Sequence, residues 1–265
     1  MELTIGCTTR PYAGLSYEEA FERIAAAGYT DVAVFASQKV VPVRSDSTPQ
    51  EVAAVRKAAA AAGVTPSMLI GGPKLDLGLE AAVADYRRLI DSAAALGAMW
   101  LLNGGTGKEA LYETFFEVMR RAAPYAESKG VKITMKPHGG ISLTTEHLIE
   151  AHEKVNHPAF GICFDPGNII YYTKGEMRPE TDVAGVAPRV TTGIIKDCVV
   201  VDGKPDVMVT AGDGLVNFYT VLSGLVGGGF DGPLYVECVG SSEPKDVDRD
   251  IAFTLGYVKG ILSAL

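Results

Sequence analysis

The 265-residue chain has only four histidines, four cysteines and one tryptophan. The cysteines (Cys7, Cys163, Cys198 and Cys238) show no C-x-x-C spacing, which excludes a zinc ribbon and a dense disulfide framework. They fall in or beside predicted strands and read as buried free thiols lining one interior. Basic residues are in deficit, 24 Lys and Arg against 32 Asp and Glu, for a net charge of −8. That balance leaves no electrostatic footprint for nucleic acid or an anionic membrane. No apolar run reaches the length of a membrane span. Met1-Glu2-Leu3 leads straight into a strand, so no signal peptide is expected and a cytoplasmic location is. The first strand is followed by Cys7-Thr8-Thr9-Arg10-Pro11, which is not the glycine-rich loop of a dinucleotide-binding fold.

What the chain does have is regular alternation. Apolar strands are expected at 3–7, 31–35, 64–70, 99–103, 131–136, 160–165, 190–196 and 234–237. The intervening segments carry helix punctuation. Ser16-Tyr17-Glu18-Glu19 and Thr48-Pro49-Gln50-Glu51 read as capping boxes, with Gly28 and Gly63 as stops. Further helices are expected at 78–96, up to 129, and at 144–155, 179–186, 217–226 and 247–264. A hairpin is expected between 199–201 and 207–209 around Asp202-Gly203, and a loop over 36–47 carries Lys39 and Arg44. Eight strand–helix units with no linker predict an α/β protein, a (β/α)8 TIM barrel forming a single domain over 1–265. The missing dinucleotide loop counts against a doubly wound open sheet.

Such a barrel carries its active site at the C-terminal strand ends. Four of those ends are polar: Lys136, Asp165, Lys196 and Glu237. The fifth strand alternates Val131, Ile133 and Met135 with Lys132, Thr134 and Lys136, then breaks at Pro137-His138-Gly139-Gly140, whose glycines leave room for a ligand. Taken alone, Lys136 is a strand-end lysine reaching solvent, and Asp165 is an Asx turn into Pro166-Gly167. Lys196 alone is a rim ion pair, and His138 alone a loop histidine. His147, His152 and His157 fall on or just beyond the fifth helix and are expected at the surface. Gly104-Gly105-Thr106-Gly107-Lys108 lacks the phosphate-loop spacing and reads as an ordinary glycine loop.

In order, these motifs resemble the xylose isomerase-like TIM barrels, a group that includes sugar phosphate isomerases and epimerases. The resemblance spans nearly the whole chain. Its marks are Leu15-Ser16-Tyr17-Glu18-Glu19-Ala20, Ala27-Gly28-Tyr29, Pro137-His138-Gly139-Gly140, Phe164-Asp165-Pro166-Gly167-Asn168, Ile195-Lys196-Asp197, Gly212-Asp213-Gly214 and Tyr235-Val236-Glu237. It implies a divalent metal held by a glutamate ending strand five, an aspartate ending strand six, a histidine on strand seven and a glutamate ending strand eight. Asp165 and Glu237 match. Lys136 stands at the first of these positions and Ile194 at the third, and Ala33 replaces a frequent glutamate ending strand two. A protonated lysine cannot ligate a metal and isoleucine has no donor atom. The expectation is therefore a site with no metal, in which the Lys136 ammonium supplies the positive charge. The alternative is Mn2+ or another divalent ion at Asp165, Glu237 and His138.

What the resemblance implies about activity is proton abstraction next to a carbonyl of a sugar, polyol or keto-sugar. Glu237 is the expected base, with Lys136, Asp165 and His138 completing the catalytic group. Asn168, Lys196, Arg10 and Asn103 are expected to hold substrate hydroxyls. The alternatives are a related dehydratase or lyase and a non-catalytic sugar-binding barrel. A DNA-repair endonuclease is disfavoured by four histidines and a net charge of −8. The expected partner is a small carbohydrate, with no nucleic acid and no membrane; formation of a homo-oligomer stays open.

Overall fold

The computed structural model describes residues 3–35 and 43–265. The expected loop lysine, Lys39, lies outside them. Alternation builds β1 (Ile5–Thr8), α1 (Tyr17–Ala26), β2 (Asp31–Phe35), α2 (Pro49–Ala62), β3 (Thr65–Ile70), α3 (Leu79–Leu96), β4 (Trp100–Asn103), α4 (Tyr112–Ser128) and β5 (Lys132–Met135). It continues with α5 (Thr145–Val155), β6 (Phe160–Phe164), α6 (Pro166–Tyr172), α7 (Pro179–Val186), β7 (Val190–Ile195), the hairpin β8 (Val199–Val201) and β9 (Lys204–Asp206), α8 (Phe218–Gly227), β10 (Leu234–Val236) and α9 (Pro244–Leu262). Eight strands close a parallel barrel in the order β1-β10-β7-β6-β5-β4-β3-β2, as the (β/α)8 reading expects.

Local chemistry sets the helix starts. Ser16 and Thr48 each accept from the backbone N–H three residues on, while Glu19 and Glu51 reach back, so both capping boxes form. Gly63 takes the left-handed conformation that ends α2.

The core has two layers. One continuous apolar cluster lies between barrel and helices and includes Val131, Ile133 and Met135. A smaller cluster fills the barrel itself: Ala33, Met68, Ile70, Trp100, Leu102, Cys163, Ile194 and Tyr235. The alternation in β5 therefore does not separate core from solvent. Met135 faces the helices, whereas Thr134 lies within hydrogen-bond distance of Thr192, at 3.2 Å, and Lys136 is buried. The four cysteines are free and buried, as expected, but Cys7 and Cys198 lie in the outer cluster and Cys163 in the inner one, so they do not line a single interior.

Two elements differ from the sequence reading. Asp202 and Gly203 both have positive φ (51° and 72°), so they form a two-residue turn and β8 pairs with 204–206 rather than 207–209. The segment after Asp165, where the sequence predicts a turn and no helix, is helix α6, because Asp165 caps it and Pro166 suits its first position. No helix among the described residues is long and apolar enough to cross a membrane.

Candidate active site

The C-terminal ends of β5, β6, β7 and β10 converge on one charged cluster, and continued strand pairing places two of its members. Lys136 N–H donates to the Asn103 carbonyl at 3.0 Å, carrying the β4–β5 ladder one residue past Met135. Glu237 N–H donates to the Ile195 carbonyl at 3.3 Å in the same way. Asp165 caps α6, its Oδ1 accepting the Asn168 N–H at 3.0 Å, while its Oδ2 stays turned to the cluster. The turn reading and the site reading of Asp165 thus hold together, one for each oxygen. Gly167 makes the packing possible: a Cβ there would lie 2.6 Å from the Lys196 carbonyl oxygen and 2.7 Å from its Cγ.

Lys136 Nζ lies 2.5 Å from Glu237 Oε2 and 3.4 Å from Asp165 Oδ2. Lys196 Nζ lies 3.0 Å from Glu237 Oε2, 3.2 Å from Asp165 Oδ2 and 3.1 Å from Asn168 Oδ1. Arg10, just beyond β1, donates to Glu237 Oε1 at 3.3 Å. Lys136, Lys196, Asp165 and Glu237 are all buried, and Arg10 is partly open at the mouth.

Burial by itself raises the Glu237 carboxyl, but the Lys136 and Lys196 ammonium groups outweigh it and hold that carboxyl far below the usual carboxylate range. Burial lowers Lys196, and Asp165 and Glu237 outweigh it in turn, so its ammonium is held above the ordinary lysine value. His138 stands at the rim, its ring 5.0 Å from that of Tyr172 and its backbone N–H bonded to Ser142 Oγ at 3.1 Å. Desolvation there, then repulsion from Lys136 and Lys196, keeps its imidazole below the usual histidine value.

Several side chains are spent differently from the sequence reading. Lys196 has an acceptor for each of its three N–H groups and holds the two carboxylates in place rather than reaching for substrate oxygen. Asn168 donates to the Pro137 carbonyl at 2.7 Å and accepts from Lys196. Asn103 accepts the Gly105 N–H at 3.0 Å and donates to the Thr134 carbonyl at 3.4 Å, bracing its own loop. Of the four expected substrate contacts, Arg10 keeps the most donors free: one guanidinium nitrogen binds Glu237 and the others have no partner among the described residues, while Asn103 and Asn168 each spend one amide N–H. Lys108 turns outward to Asp76 at 2.8 Å, which removes it from any phosphate loop. His147, His152 and His157 are half-buried rather than fully at the surface. His147 belongs to the cap of α5, and His157 Nδ1 accepts the Ala159 N–H. Tyr172 was not foreseen; its signal was the Tyr171-Tyr172 pair one α6 length after Asp165.

The donor set does not fit the divalent ion of similar barrels. Ammonium groups lie against both carboxylates, where a metal would have to bind. Ile194 is packed inside the barrel. Among the described residues no group of three or more His, Cys, Asp or Glu could hold a metal, the set Asp165, Glu237 and His138 included.

Comparison with solved structures gives the same architecture. A xylose isomerase-like TIM barrel protein from Mycobacterium smegmatis, in complex with magnesium, matches with TM-score 0.79 at 18% identity, covering 98% of each chain. A D-psicose 3-epimerase from Clostridium cellulolyticum H10, with D-tagatose, matches with TM-score 0.79 at 16% identity over 98% of this chain and 99% of its own. A xylose isomerase domain protein from Planctomyces limnophilus matches with TM-score 0.74 at 23% identity over 91% of each. At these identities the likeness is one of fold. No curated protein matches the chain. The sequence profile of the xylose isomerase-like TIM barrels matches residues 21–256, and with the closed eight-stranded barrel it establishes that the chain belongs to that family.

Proposed function

We propose that the chain is an isomerase- or epimerase-like enzyme that removes a proton next to a carbonyl of a sugar derivative, with the Lys136 ammonium in the place a metal takes in similar barrels. The observation that carries this reading is the position of Lys136. Its Nζ is bonded to Glu237 at 2.5 Å and lies 3.4 Å from Asp165, which leaves one N–H uncommitted. A buried cation already held in place stabilises an oxyanion without reorganising, which is how enolate formation is made easier. Fold similarity to 3-epimerases supports the reaction class.

In this reading the proton acceptor is His138 rather than Glu237. The Glu237 oxygens accept from three cations, which occupy three of a carboxylate's roughly four lone-pair sites. A carboxylate held that far below its usual range is a poor base. His138 is kept neutral at pH 7 and has a free nitrogen lone pair. It takes the proton from carbon, and the C–H electrons form the enolate on the carbonyl oxygen, which Lys136 holds. Protonating the same carbon from the other face, by a second donor or water on that face, gives an epimer; delivering the proton to the former carbonyl carbon, with the hydroxyl proton passing between the two oxygens, gives an isomer. Asp165, Glu237 and Lys196 fix Lys136.

The test is proton exchange in D2O, followed by NMR on keto-sugars with EDTA present. Exchange that survives chelation and falls about 10^2- to 10^3-fold in Lys136→Met is expected. Exchange abolished by EDTA and restored by Mn2+ would make the site a metal site. Binding without exchange would favour the non-catalytic barrel.

A further inference from the structure

The charge of the site is not balanced. Arg10, Lys136 and Lys196 bring three positive charges and face two carboxylates, Asp165 and Glu237. Asp197 follows Lys196 but does not enter this balance. It points under the 212–216 loop, where the backbone N–H groups of Cys198, Gly212, Gly214 and Val216 all donate to it. Cys238 is pushed up by burial and is a neutral thiol at pH 7. The cluster is thus left with one positive charge in excess: both lysines and both carboxylates are buried, and Arg10 is partly open at the mouth.

The excess charge has a direction. Lys196 is saturated by three acceptors. The uncommitted donors belong to Lys136, which is 5% exposed, and to Arg10. These two bind opposite oxygens of the same carboxylate, Lys136 at Oε2 and Arg10 at Oε1 of Glu237, so both cations sit on one carboxylate. A planar guanidinium fork beside an ammonium matches a carboxylate, which accepts in one plane through two oxygens. A phosphate dianion carries more charge than the surplus, and the glycine loop that would have to cradle it has sent Lys108 to Asp76. A neutral ketose would leave the surplus uncompensated.

Building on the proposed function, we infer that the ligand of this site is a monoanionic keto acid of the sugar-acid class, its carboxylate docked between Arg10 and Lys136 with the carbonyl beside it. The carboxylate completes the charge balance of the site, and the adjoining carbonyl brings the C–H to be exchanged within the reach of His138.

Calorimetry on the full chain at fixed pH and salt tests this with three probes: 2-keto-D-gluconate, D-fructose and D-fructose 6-phosphate. The keto acid is expected to bind most tightly, and Arg10→Gln to weaken it on the order of 10- to 100-fold while weakening D-fructose much less. Arg10→Lys, which keeps the charge and loses the fork, is expected to fall between. Equal or tighter binding of D-fructose overturns the inference, as does preference for the phosphate. Equal affinity of wild type and Arg10→Gln for the keto acid overturns the docking site. The ranking on wild type stands without either variant. Tight keto-acid binding with no proton exchange in D2O supports the ligand class while overturning the catalytic reading, so the two failures are distinguishable.

Discussion

The two ends of the barrel are built from the same inward-facing strand positions and treat polar groups in opposite ways. At the N-terminal end, the hydroxyls of Ser67 and Tyr235 lie 2.8 Å apart, and Lys132 rests its ammonium over Trp100 at 5.5 Å, beside a cavity of about 330 Å3. At the C-terminal end, two lysines and two carboxylates are buried in mutual contact. An apolar layer containing Met68, Leu102, Cys163 and Ile194 fills the barrel. The Ser67–Tyr235 pair is neutral and joined by one hydrogen bond. Each charge at the other end depends on all the rest, because an ion left alone in that interior has no water to replace its partner. A buried ion network is a poor way to gain stability, so its presence at the end where TIM barrels act points to chemistry.

Substitutions at the two ends sharpen that contrast. The largest effect is expected at Lys196. Lys196→Met leaves Asp165 and Glu237 facing each other with less compensation, and urea unfolding should show a loss of about 3–5 kcal/mol. A cost near that of an exposed ion pair would mean that the network is wetter than its burial implies. Next comes Lys136→Met, in which Lys196 and Arg10 still hold Glu237. Its stability cost should be smaller than that of Lys196→Met, but D2O exchange should fall about 10^2- to 10^3-fold. Lys136→Arg keeps the charge; full activity there would show that charge alone is required.

Acid should act selectively on the C-terminal end. The Glu237 carboxyl is held far below its unfolded value, about 4.3 for a glutamate, by Lys136 and Lys196. Its contribution to stability is therefore fully present above about pH 4.3 and is lost as pH falls through the folded-state value. Lys196, held above its unfolded value of about 10.4, contributes below that pH and loses its share as pH rises through its folded-state value. Glu237→Gln should flatten the acid limb of a stability–pH curve, while Tyr235→Phe should leave it unchanged. An unaltered acid limb in Glu237→Gln would place the acid sensitivity elsewhere. The smallest effect is expected from Tyr235→Phe itself. Losing one neutral hydrogen bond to Ser67 should cost about 1 kcal/mol in the same unfolding assay.

Much of the fold was legible because local physics sets it. The capping boxes at Ser16 and Thr48, the left-handed Gly63 and the alternation of apolar strands with helices all act over a few residues, and each appeared where read. The residue types of the site were legible too, since a polar group ending an apolar strand needs a reason. The turn at Asp202-Gly203 was visible, but its two-residue length, which sets the β8–β9 register, was not. What only the tertiary structure decided is how each donor is spent. Lys136 and Lys196 look equivalent as strand-end lysines, yet Lys196 is saturated and Lys136 is not, because α6 brings Asn168 to Lys196 alone. Asn103 and Asn168 carry the same amide that would hold a sugar hydroxyl, and both spend their carbonyl oxygen and one amide N–H on the scaffold. The sequence by itself determined that the strands and helices alternate and that these residues end the strands, because periodicity and capping are local. Whether a buried charge stays free for a ligand depends on neighbours 28 to 101 positions away, and closure of the barrel settles that.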